Sequence, residues 1–107
     1  MSTAASLRLR RQLEQPGEMP DVTCDDVAEL DAELSSILER MAIRTTYEDA
    51  KPELDELAEL HGLMATLLFK HRVELSARQR HIVRIFDRWD DEDTRRYFFR
   101  EVIAGRM

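Results

Sequence analysis

A single cysteine, three glycines, three prolines and only two lysines in 107 residues rule out several kinds of protein before any pattern is read. Cys24 has no second thiol to pair with in the chain, which excludes an internal disulfide scaffold and agrees with a reducing compartment. Asp25 and Asp26 lie beside it and disfavour the thiolate, so Cys24 reads as structural or neutral. So few glycines and prolines leave little turn chemistry for β-hairpins. No apolar run approaches the roughly 20 residues needed to cross a bilayer, and Met1 to Arg11 carries charges where a signal peptide needs its apolar segment. A cytoplasmic protein with no membrane contact is expected.

What the chain has is 43% apolar and 36% charged residues, a mixture suited to short amphipathic helices around one small core. The net charge of −6 is unevenly spread. Residues 21–69 hold 13 acids against Arg40, Arg44 and Lys51, whereas residues 70–107 hold ten basic side chains against seven acids. Two halves packed antiparallel would complement each other, and a charged partner surface is the sharper alternative. Fourteen arginines against two lysines suit phosphate recognition, though codon bias in a GC-rich genome gives the same ratio.

Along the chain, residues 1–22 read as a flexible arm. Leu7 to Gln15 has the makings of two helical turns, but Pro16, Gly17 and Pro20 stop any continuation, and the arm should be dispensable for folding. Residues 23–107 read as one helical domain. Its first helix begins at Thr23, where Asp26 completes a capping box, and Val27, Leu30, Leu34, Ile37 and Met41 form a narrow stripe with Leu38 beside it. Glu29, Glu33 and Arg40 should then face water. A second helix starts near Thr46 or Asp49, keeps Pro52 in its first turn and runs to about Glu74. Its apolar side is wide: Leu54, Leu57, His61, Met64 and Leu68 are joined by Leu60, Leu67 and His71, with Leu63 further round. A helix of this kind is either central in the bundle or shared with a second chain, and the second option, a homodimer, is the expectation. Ser76 and Gln79 cap a third helix from Ala77, with Ile82, Ile85, Phe86 and Trp89 on one face and Arg80, Arg84 and Arg88 on the other. Asp90 to Asp93 introduce a fourth, carrying Phe98, Phe99, Val102 and Ile103 on one side and ending at Gly105; the last two helices could also be one bent helix. The fold class is all-α, a small bundle of three to four helices.

Groups for chemistry are sparse. His61, His71 and His81 stand ten residues apart, so no two share a helical turn, and Ala58 occupies the position where a Glu-x-x-His ligand pair would need its carboxylate. Ser76 is the best-placed hydroxyl and already has a capping role. No glycine-rich loop offers a phosphate cradle. No cofactor and no metal are expected.

Two short stretches resemble known families. Leu30-Asp31-Ala32-Glu33-Leu34 with Ile37-Leu38-Glu39-Arg40 resembles the first helix of an all-helical chorismate mutase. Such an enzyme needs several cations converging on a dicarboxylate, whereas the first two helices offer mainly acids around Arg40, Arg44 and Lys51. Leu75-Ser76-Ala77-Arg78-Gln79 with Ile82-Val83-Arg84-Ile85 resembles the opening helix of LuxR-type helix-turn-helix domains. That fold needs a turn and two more helices, one of them in the major groove, and only 18 residues follow Trp89.

The expected function is therefore regulation by protein–protein binding and not catalysis: a small bacterial protein that sequesters a transcription factor, in the manner of an anti-activator, and also binds itself. The expected binding surface combines Leu60, Leu63, Leu67 and His71 of the second helix with Trp89, Tyr97 and Phe99. A nucleic-acid-binding regulator using the arginines of the third helix is the alternative, and a small helical enzyme comes third.

Overall fold

Each helix-start signal in the sequence is met by a helix in the computed structural model, which describes residues 3–15, 20–88 and 90–106. Five helices follow one another, α1 (Ala4–Glu14), α2 (Cys24–Ala42), α3 (Lys51–Ala65), α4 (Ala77–Ile85) and α5 (Glu92–Ile103), with a π-helical turn at Thr66–Lys70 and a 3-10 turn at Phe86–Arg88. No strand occurs among the described residues, and no helix there is long and apolar enough to cross a membrane. The protein is all-α.

Both capping boxes form. The Thr23 hydroxyl accepts from the Asp26 amide at 3.1 Å while the Asp26 carboxylate accepts from the Thr23 amide at 3.0 Å, and Ser76 and Gln79 repeat the exchange at 3.1 and 2.8 Å. Each box satisfies two amides that the first turn of a helix leaves without partners. Pro52 falls in the first turn of α3, where its missing N–H is harmless. Asp91 caps α5, and the 3-10 turn separates α5 from α4, so these are two helices and not one bent one. Gly105, at φ 75°, closes α5 in the left-handed conformation that glycine adopts without strain.

The core is one cluster. Leu30, Leu34, Ile37, Leu38 and Met41 of α2 meet Leu54, Leu57, Leu60, Leu63 and Met64 of α3, with Ile82, Val83 and Phe86 from the α4 region and Phe98, Phe99 and Val102 from α5. Phe86 lies at its centre, its ring 5.0 Å from Phe98 and 5.0 Å from the half-buried His61. The broad apolar side of α3 is explained by its position: α3 packs on α1, α2 and α4. Leu60, Leu63 and Leu67 are 1%, 5% and 0% exposed, so the surface expected to hold a second chain is consumed inside the fold.

The arm is the second correction. Residues 4–14 form α1, which packs on α2 and α3 and buries Leu9 completely. Leu9 anchors this helix, and two acids of α2 lie against it. Asp26 pairs with Arg8, and Glu33, expected in water, is buried beside the start of α1, where the helix dipole favours a carboxylate. Burial nevertheless raises the Glu33 pKa above the ordinary carboxylate value, against the pull of Arg10 and the Ser6 hydroxyl. Residues 16–19, which hold Pro16 and Gly17, and Trp89 lie outside the described residues.

Candidate protein-binding surface

The second helix read from the sequence ends sooner than expected, and the way it ends shapes the surface. The Thr66 hydroxyl bonds back to the Gly62 carbonyl at 2.9 Å, and the next turn widens so that the His71 amide reaches the Thr66 carbonyl, five residues back, at 3.3 Å. Val73 then donates to the Leu67 carbonyl at 2.9 Å, and Arg72 takes φ 55°, a left-handed conformation usual for glycine and uncommon for arginine. Leu67 stays in the core while Phe69 stands 64% exposed.

Beside this turn lies a cavity of about 550 Å³, lined by Pro20 to Cys24 and Val27 on one side and by His71 to Glu74 on the other. Gln79, fully buried in the first turn of α4, donates to the Val27 carbonyl at 3.2 Å. This bond ties the first turn of α4 to the first turns of α2, beside the cavity. Along α4, Ile82, Val83 and Phe86 point inward, and Arg80, His81, Arg84 and Arg88 are exposed.

The expected site residues separate. Leu60, Leu63, Leu67 and Phe99 are buried and offer no surface. His71 is half-buried and lines the cavity, Tyr97 is 49% exposed on α5, and Trp89 lies outside the described residues. Sequence reading passed over Phe69 because it fell off the apolar stripe of a helix assumed to continue to Glu74; an aromatic off the stripe and followed by Lys70-His71-Arg72 was the signal available.

Elsewhere several surface charges are paired. Arg8 pairs with Asp26, Arg40 with Glu56 at 2.7 Å, Arg44 with Glu53, and Arg106 with Glu101, while Arg96 lies 4.4 Å over the Tyr47 ring and contacts Glu92 at 3.1 Å. Glu53 is 2% exposed at the start of α3, so Arg44 reaching back from the preceding turn balances a carboxylate that would otherwise be buried alone. Burial holds the His61 pKa below the ordinary imidazole value, against the attraction of Asp87. Among the described residues no three His, Cys, Asp or Glu side chains could hold a metal ion together.

The described residues form a bundle of five helices on which Phe69 and Tyr97 are exposed aromatics. The family model for CdiI-like immunity proteins matches residues 24–104, about three-quarters of the chain, and the chain belongs to that family. No curated protein and no solved structure matches it. The match covers α2 to α5 and leaves out α1.

Proposed function

We propose that this chain is an immunity protein that neutralises a toxin by holding it in a stoichiometric complex. The match to the CdiI-like immunity family across α2 to α5 carries the reading. The disposition of the polar groups supports it. The Ser76 hydroxyl accepts from the Gln79 amide and caps α4, and Asp26 and Glu53 are paired with arginines, so each has a structural task. A transcriptional activator, the partner expected from size and charge alone, gives way to a toxin because the family supplies a partner class that size and charge do not.

The test is protection. Bacterial cells making the cognate toxin should survive when the chain is co-expressed, and the two purified proteins should run as one complex on gel filtration. Cell death despite full expression of the folded chain would refute the reading.

A further inference from the structure

Five of the cations that have no side-chain partner among the described residues are gathered in one stretch of this small acidic protein. Residues 69–88 carry Lys70, Arg72, Arg78, Arg80, Arg84 and Arg88 against Glu74 and Asp87, a local balance of +4 in a chain of −6. Arg78 bonds the Ser35 hydroxyl at 2.7 Å and lies 3.8 Å from Asp31. The side chains of the other five cations make no hydrogen bond or ion pair among the described residues. Outside the stretch, Arg8, Arg10, Arg40, Arg44, Lys51, Arg95, Arg96 and Arg106 have side-chain partners, and Arg11 and Arg100 are the exposed exceptions among the described residues. At the start of this stretch, next to Lys70, stands Phe69, 64% exposed, a side chain whose hydration is unfavourable in the free protein. Arg72 holds a backbone conformation that glycine would hold with less strain, so its side chain is kept there against a local preference.

Resting on the immunity reading above, we propose that this stretch, with Phe69 as apolar anchor and Lys70, Arg72, Arg80 and Arg84 around it, docks on the toxin, and that the toxin meets it with an acidic surface surrounding an apolar pocket. Charge complementarity selects that partner. Uncompensated cations speed and orient encounter with an acidic surface and repel a basic one. Aromatic and arginine side chains are the residue types enriched in the centres of such interfaces. The 550 Å³ cavity beside His71 gives the partner relief to fit against. Arg80 and Arg84 lie one turn apart on the outward side of α4, so they extend the contact along the helix.

The experiment is titration calorimetry of the full chain with the toxin that it protects against, carrying a substitution that abolishes toxicity. Phe69→Ala should weaken binding about 30-fold, as loss of a central anchor does. Arg80→Glu with Arg84→Glu should weaken it further and flatten its salt dependence. Arg72→Gly should raise the melting temperature by about 3 °C while weakening binding, a split that a purely structural role for Arg72 would not produce. Tyr97→Ala, on α5, should bind like wild type. All of these positions are exposed, and circular dichroism confirms that each variant is folded. If wild type binds and the Phe69 and Arg80/Arg84 variants bind equally well, this surface is wrong and the immunity reading stands. If wild type binds no toxin and gives no protection, both fall. A wild type that binds duplex RNA through these arginines, with toxin binding indifferent to them, overturns the proposal in favour of nucleic acid.

Discussion

Replacing Leu9 by alanine asks whether α1 belongs to the core or is merely laid on it. Leu9 is wholly buried among residues of α2 and α3, although it lies outside the segment that defines the family. Truncating a leucine at such a site removes its transfer free energy and leaves a cavity, together about 3 kcal/mol. For a domain of this length the entropy of unfolding near the melting temperature is roughly 0.2 kcal/mol per degree, so the melting temperature should fall by about 13 °C. Leu7, 48% exposed on the same helix, provides the control, and Leu7→Ala should shift the transition by less than about 2 °C. Thermal unfolding followed by far-ultraviolet circular dichroism reads both. Removing residues 1–20 should destabilise in the same direction as Leu9→Ala. A Leu9→Ala protein that melts within about 2 °C of wild type would refute the docking of α1 as described.

Other predictions concern polar groups. Ser76→Ala breaks the capping box of α4 and should cost about 1 kcal/mol, or roughly 4 to 5 °C. Arg44→Ala should lower the melting temperature, because it leaves the buried Glu53 carboxylate without its partner, and Glu53→Gln in that background should restore part of the loss. The two perturbed titrations have opposite signs. His61 has a folded pKa below 6.5, so the unfolded chain takes up protons first and stability is lost as pH falls through that value towards the folded one. Glu33 has a folded pKa above 4.5, so the native state holds its proton longer and stability falls as pH rises from 4.5 through the folded value. Urea titrations across pH should show the second slope disappear in Glu33→Gln. With Leu60, Leu63 and Leu67 buried, light scattering of the free protein should report a monomer, and Cys24→Ser, at an exposed position, should leave the fold unchanged.

Features decided within a few residues were legible in the sequence. The Thr23–Asp26 and Ser76–Gln79 boxes are closed by side chains three positions apart, and each fixes a helix start with no help from the rest of the fold. The width of the apolar side of α3 was also legible, but its meaning was not. Whether Leu60, Leu63 and Leu67 face the protein's own core or a second chain depends on where α1 and α4 pack, which the stripe does not contain. For the same reason α1 read as an arm. Its docking relies on the apolar residues around Leu9 and on Asp26, which come from other helices, and Glu33, buried beneath α1, looks on its own helix like a solvent-facing acid. The candidate site was the least legible part. Phe69 and Arg72 owe their positions to a widened turn begun by the Thr66 hydroxyl at the Gly62 carbonyl, and a search for a 3.6-residue period continues straight through that turn.

The most direct test of the account is to mix the purified chain with its active cognate toxin and to follow toxin activity while the ratio of the two proteins is raised. A protein that neutralises by occupation should abolish activity at one chain per toxin, leave the toxin chemically unaltered on mass spectrometry, and allow activity to return when the complex is dissociated. Activity that persists at excess chain, or a toxin that is cleaved or modified by substoichiometric chain, would contradict it.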